Sequence, residues 1–188
     1  MIELLETARL RLRPFQLDDA SALFAYASDP EIARLGMWPP LTTVEESHEE
    51  IAEMLEGYGR GDQWSWAIEI KEDQTMIGRC DLLKYRQQHR NAEIGYALAR
   101  HAWGKGYATE AIHTLIRFAF SQLALHRLEA LVLPFNVASL RVLEKVGMQR
   151  EGIKRQAYFL ETHFVDLFDY GLLAEDYQGG NKQGEQVR

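Results

Sequence analysis

The stretch RLRLRPF alternates Leu10 and Leu12 with Arg9, Arg11 and Arg13, the period-two pattern of a half-buried strand, and Pro14 stops it. LDDASALFAYAS changes to helical spacing, with Asp18 as N-cap and SDP as its end. In TVEESHEEIAEMLEGYG, Thr43 and Glu46 stand at capping-box spacing, Val44, Ile51, Leu55 and Tyr58 fall near one face, and Gly57, Gly59 and Gly61 close the helix. Strands follow. WSWAIEI sets Trp64, Trp66, Ile68 and Ile70 against Ser65, Ala67 and Glu69, KEDQT turns the chain, and MIGRCDLLKY and NAEIGYALA continue it through connections short enough for antiparallel hairpins. A long helix after WGKG places Ala108, Ala111, Ile112, Leu115 and Ala119 on one face. HRLEALVLP is the next strand, Asn136 to Val146 a helix closed by Gly147, and a terminal hairpin ends in FVDLFDYGLLA.

This order predicts an α/β (α+β) fold, a single-domain mixed sheet flanked by helices, with one clear strand–helix–strand crossover. The domain is expected over residues 1–177; the tail 178–188, QGGNKQGEQVR, has no apolar pattern and is expected to be disordered. A chain of 188 residues is long enough for one full core. Its net charge of −7 argues against a general nucleic-acid binder. The single cysteine, Cys80, excludes an internal disulfide framework and a Cys-rich zinc site. None of the six histidines shows His-x-x-x-His spacing, so no metal is expected. No apolar run approaches the ~20 residues of a membrane helix, and the start MIELLETARL is acidic, so a cytoplasmic location away from membranes is the expectation.

The chemistry concentrates where the crossover begins. In WGKGYATEA, Gly104 and Gly106 remove the β-carbons that would block an approach to the helix N-terminus, and Lys105 adds a positive charge. The first turn of a helix carries N–H groups without intrahelical partners and about half a positive charge from the dipole, which suits an anion. A Walker loop does not fit, because Gly106 follows Lys105 and the earlier glycine would have to be Ala99. A dinucleotide fingerprint fails at its third position, Thr109, although Glu129 lies at a suitable distance for a ribose contact. A turn merely eased by glycine is the third reading.

ARLRLRPF, NAEIGYALARHAWGKGYATEA, LHRLEALVLPFNVASLRVLEKVGMQREG and FVDLFDYGLL, in that order from about Thr7 to Tyr177, resemble the GCN5-related N-acetyltransferase (GNAT) family. The resemblance is greatest to the branch of the ribosomal-protein alanine N-acetyltransferases RimJ and RimL. It implies a mostly antiparallel sheet splayed between two central strands, the acyl-CoA N-acyltransferase fold, with acetyl-CoA in the wedge. Free backbone groups near Leu98 and Ala99 would pair the pantetheine arm. Amides of Gly104, Lys105, Gly106, Tyr107, Ala108 and Thr109 would hold the pyrophosphate, with Arg100, beside His101, and Lys145 near phosphate. Where many members carry a tyrosine, four residues before the glycine that ends the last helix, this chain has Leu143.

Amide formation from a thioester needs a neutral amine, a donor for the oxyanion and a proton or hydrogen bond for the leaving thiolate. Glu93, on the strand expected to splay, is the candidate base acting through water, against the alternative of a solvated carboxylate. Ser139 is the candidate acid at the sulfur, since Leu143 cannot donate, and a backbone N–H between Tyr96 and Leu98 is the candidate oxyanion donor. Asn136 caps the helix, bonds the pantetheine amides, or both. Cys80 has no local histidine signal, so direct attack in a ternary complex is expected over a covalent route. The acceptor is a protein N-terminal amine or a small amine. A catalytically silent acyl-CoA-binding module and a dinucleotide-dependent oxidoreductase are the alternatives, and both monomer and homodimer stay open.

Overall fold

A computed structural model describes residues 3–61 and 64–177; the tail 178–188 lies outside the described residues. Strands β1 (Leu5–Glu6) and β2 (Leu10–Pro14) precede three helices, α1 (Ala20–Ala27), α2 (Pro30–Gly36) and α3 (Val44–Arg60). The meander β3 (Trp64–Ile70), β4 (Met76–Arg86) and β5 (Asn91–Leu98) leads to α4 (Tyr107–Ser121), β6 (Arg127–Val132) and α5 (Val137–Lys145). The hairpin β7 (Gln149–Leu160) and β8 (His163–Leu173) ends the fold.

The first helical region differs from its expected form. Asp18 caps nothing. Gln16 begins a 3-10 turn over Leu17–Asp19, and Asp19 accepts the Gln16 N–H at 2.8 Å while its two oxygens take Arg13 at 2.8 Å each. The carboxylate that faces the strand arginine is therefore the buried one. SDP ends α1 as expected, with Ser28 as its C-cap, but it also begins a further helix: Asp29 caps α2 by accepting from Glu31 and Ile32, with Pro30 preset for its first position. On α3, Thr43 accepts from the Glu46 N–H as its spacing predicts, but Met54 and not Leu55 lies on the buried face.

All sheet neighbours are antiparallel except one pair, in the order β1-β2-β3-β4-β5-β6-β8-β7. The sheet is sandwiched. Helices α4 and α5 cover one face, around Trp66, Ile68, Leu82, Ile112 and Leu115. Helices α1, α2 and α3 cover the other, around Leu23, Tyr26, Ile51 and Ala67. This two-sided cover explains why alternation in β3 does not separate inside from outside: Ser65 and Ala67 are as buried as Trp66. Glu69, also buried, is held by Arg13 at 2.7 Å and Arg11 at 3.3 Å.

Two crossovers are present, where one is clear from the sequence. Helix α4 joins the adjacent parallel strands β5 and β6, and α5 joins β6 to β7, between which β8 inserts. The β5–β6 ladder is short. It runs from Asn91–Arg127 to Glu93–Glu129, whereas β5 stays paired with β4 as far as Leu98. From Ile94 onward the two central strands part, and the fold opens there. A doubly wound dinucleotide sheet does not fit this topology, which removes that alternative.

Candidate active site

A cavity of about 400 Å³ fills the gap between the parted strands. Its floor is Tyr96 to Leu98 of β5. Ile32 and Leu35 of α2 make one wall, Ser139 and Val142 of α5 the other, and Trp103, Gly104 and Ala108 close the end nearest α4. Apolar side chains such as Ile32, Leu35 and Val142 share the lining with Tyr96, Asn136, Ser139, Arg141 and Lys145, a mixture that suits a ligand with apolar, amide and anionic parts.

At the α4 end, Gly104 has φ +72° and Gly106 has φ +81°, backbone states in which a β-carbon is strained. Gly106 occupies the N-cap position and has no side chain to accept an N–H; the first intrahelical bond is Glu110 N–H to Gly106 C=O, 3.1 Å. The N–H groups of Tyr107, Ala108 and Thr109 therefore point out of the helix end without a cap. The turn is tied down from outside. Arg9 donates to the Lys105 C=O at 3.1 Å, pairs with Glu110 at 2.6 Å and stacks over Tyr107 with 4.5 Å to the ring centroid. Thr7 adds a bond to Glu110 at 2.5 Å, and the Trp103 indole donates to the Leu98 C=O at 2.7 Å.

The α5 wall is built from its cap. Asn136 accepts the Ser139 N–H at 3.1 Å and donates to the Leu35 C=O at 3.4 Å, so it caps α5 and ties it to α2. The Ser139 hydroxyl lies 2.7 Å from the Tyr96 hydroxyl. Burial pushes the Tyr96 phenol up to about 12, against a smaller opposing effect of the bond to Ser139, so it stays protonated at neutral pH.

The expected site residues divide by place. Leu98, Gly104, Ala108, Asn136, Ser139 and Lys145 line the cavity. Gly106, Tyr107 and Thr109 form the helix end beside it, and the Lys105 side chain is exposed while its carbonyl holds Arg9. Two expectations need correction. Ala99 has no free N–H, because it donates to the Ile77 C=O at 2.8 Å. That bond turns the N–H and C=O of Leu98 away from β4, toward the gap, where the carbonyl meets Trp103. The Arg100 guanidinium, 5.6 Å over the Trp103 ring, is taken up by Asp29 and Glu31, which fixes the start of α2.

Glu93 is outside the cavity lining. It is half-buried, bonded to Lys84 at 2.9 Å, and lies on the sheet face of Ala97 and α3, opposite to Tyr96 and Ser139. Leu143 is 1% exposed and belongs to the core. Cys80 is fully buried and its thiol is pushed well up by burial, which leaves no thiolate for attack. Among the described residues no group of three His, Cys, Asp or Glu is placed to hold a metal, and no helix is long and apolar enough to cross a membrane. The Tyr96 side chain and the Arg9–Glu110 tie escaped sequence reasoning. Both depend on strand-to-helix contacts that no local pattern encodes.

The family described as acetyltransferase (GNAT) domain matches residues 9–149. The chain is 36% identical over 178 residues to the uncharacterized N-acetyltransferase p20 of Bacillus licheniformis, covering 95% of this chain and 100% of that one. It is 36% identical over 173 residues to the uncharacterized N-acetyltransferase YoaA of Bacillus subtilis, covering 92% and 98%. Among solved structures, a GNAT-family acetyltransferase from Bacillus anthracis superposes with a TM-score of 0.82 at 26% identity, covering 92% of this chain and 99% of that one.

Proposed function

The chain belongs to the GNAT acetyltransferase family, and from that premise we propose that it transfers an acetyl group from acetyl-CoA to a primary amine by direct attack in a ternary complex. One observation carries the reading: an uncapped, glycine-flanked helix end opens at one end of an elongated cleft between parted strands. The residues there fit acetyl-CoA. The amides of Tyr107, Ala108 and Thr109 suit its diphosphate, Lys145 suits a phosphate oxygen, and the outward backbone groups of β5 suit the amides of its arm. A charge-assisted bond to each amide contributes about 1.5–3 kcal/mol.

Acetyl-CoA supplies a thioester carbonyl whose thiolate leaves as the amide forms. Glu93 takes a proton from the incoming amine through water, with the Lys84 ammonium 2.9 Å from its carboxylate. The Leu98 N–H, turned toward the gap, donates to the developing oxyanion. Ser139 Oγ donates a hydrogen bond to the leaving sulfur, held in place by the Tyr96 hydroxyl 2.7 Å away, and the coenzyme A thiolate takes its proton from solvent as it leaves. Base and sulfur-side donor on opposite faces of β5 suit two substrates that approach from two sides. The acceptor is a protein N-terminal amine, as in the RimJ and RimL branch, or a small amine.

Incubation with acetyl-CoA and a panel of peptides and amines, followed by thiol release, tests the reading. Release that depends on the amine is expected. Binding of acetyl-CoA without release for any acceptor would leave a silent binding module instead.

A further inference from the structure

The part of β5 that floors the cleft is fitted against a single residue of β4. Gly78 lies opposite Leu98 in the β4–β5 ladder. On its other side β4 bulges: Gly78 pairs with Ile68 and Met76 with Glu69, so Ile77 is an extra residue with no counterpart in β3. Gly78 has φ +154°, a backbone state that residues with side chains rarely adopt. The ladder as such does not demand glycine. Two and four residues along, Cys80 faces Tyr96 and Leu82 faces Ile94 with a side chain on each strand.

A β-carbon at position 78 would overlap the Ala97 carbonyl oxygen and stand 2.9 Å from Leu98 Cα and 2.8 Å from Leu98 Cδ2. The first two are backbone atoms, which cannot swing aside as the end of a side chain can. The carbonyl matters most. The Ala97 C=O and the Leu98 N–H belong to one planar peptide unit, with oxygen and hydrogen on opposite sides of it. The oxygen faces β4 and the N–H faces the gap, so a push on the oxygen displaces or tilts the N–H. The flanking bonds hold the unit close to β4. Ala99 donates to the Ile77 C=O at 2.8 Å, and the Trp103 indole holds the Leu98 C=O at 2.7 Å. Since Ile77 and Ala99 are the bonded pair, Gly78 and Leu98 form the close kind, with Cα atoms about 4.5 Å apart.

Resting on the acetyltransferase reading, we infer that Gly78 is a positioning residue for acetyl transfer: its bare backbone sets the aim of the Leu98 N–H at the thioester oxygen. It touches neither substrate. It acts through the Ala97–Leu98 peptide, and the bulge at Ile77 brings it there.

Acetyl-CoA labelled with carbon-13 at the thioester carbonyl reads that aim directly. On binding to the full chain its signal should move downfield, because the hydrogen bond polarises the carbonyl. In Gly78→Ala the movement should shrink and kcat should fall by about 10²-fold, while the Kd for coenzyme A changes by no more than about threefold. A glycine that serves packing alone would lower the melting temperature and leave the carbonyl signal of the bound, folded chain in place. Leu98→Ala and the double variant separate backbone from side chain. Removing Cδ2 relieves one of the three contacts, so the double variant is the chain to read should Gly78→Ala not fold. Relative to Leu98→Ala it should still lose the downfield movement and about 10²-fold in kcat. Recovery of both in the double variant, a carbonyl signal unchanged by Gly78→Ala, or no downfield movement in the parent chain would overturn the inference. Downfield movement in the parent with no thiol release from any amine would uphold the aimed donor and sink the transferase reading. Thiol release without that movement would do the reverse.

Discussion

Tyr96 and Ser139 form a hydroxyl pair that the family tyrosine position does not supply here, because Leu143 is packed into the core. Tyr96→Phe should lower kcat by about tenfold with little change in the KM for acetyl-CoA, the pattern of an interaction that matters in the transition state. Ser139→Ala should cost more, and the double substitution should cost little beyond Ser139→Ala alone, since the phenol acts through the serine. Steady-state kinetics on the three variants decides it; additive losses would separate the two residues. Glu93→Gln should reduce kcat by about 10²–10⁴-fold while the Kd for acetyl-CoA, read by calorimetry, stays unchanged. At this scale the residue types are plain in the sequence and their meetings are not. Ser139 is recognisable as a helix-start hydroxyl, but Tyr96 reads only as one more strand residue until β5 and α5 are brought together.

The elements around the cleft owe their positions to charge pairs at their ends. Arg9 holds the turn before α4 and Arg100 holds the start of α2. Arg9→Ala should therefore raise the acetyl-CoA Kd several-fold, about 1 kcal/mol, and lower global stability by no more than about 1 kcal/mol, because the pair is largely exposed. Calorimetry with the cosubstrate and a thermal melt read the two separately. The Arg100 tie has a pH signature. The Arg100 guanidinium, with backbone N–H bonds, holds the Asp29 carboxyl down to about 2 from 3.8. A depressed folded pKa means the tie is intact above pH 3.8 and fails as pH falls through about 2. Hydrogen-exchange protection factors of the amides of residues 33–36 should stay high from pH 7 down to pH 4 in the parent chain, and in Arg100→Ala they should be lower throughout that range. The helices bordering this site were only partly legible. α4 shows its apolar face and its glycine turn openly. α2 is hidden because Asp29 and Pro30 serve equally well to end one helix and to begin another.

At the scale of the whole molecule, the sheet is two parts joined by a short parallel ladder, with the cleft where that ladder stops. A ligand that touches α2, β5, α4 and α5 at once bridges the parts. Acetyl-CoA at 100 times its Kd should add about 2.7 kcal/mol, or about 5–10 °C in Tm for a chain of this size. The order of strands was legible from alternation and turn residues, but β3 carries apolar and small polar positions that are nearly all buried, so its pattern concealed that helices cover both faces of the sheet. The insertion of β8 between β6 and β7 was invisible, since nothing local records which edge a returning strand chooses. The most direct measurement is the amide NMR spectrum of the isotope-labelled chain titrated with coenzyme A and, separately, with pantetheine, which lacks the diphosphate. Large shifts of the Tyr107, Ala108 and Thr109 amides with coenzyme A, absent with pantetheine, are the expected result; amides at the start of α4 that do not respond to coenzyme A would contradict the account.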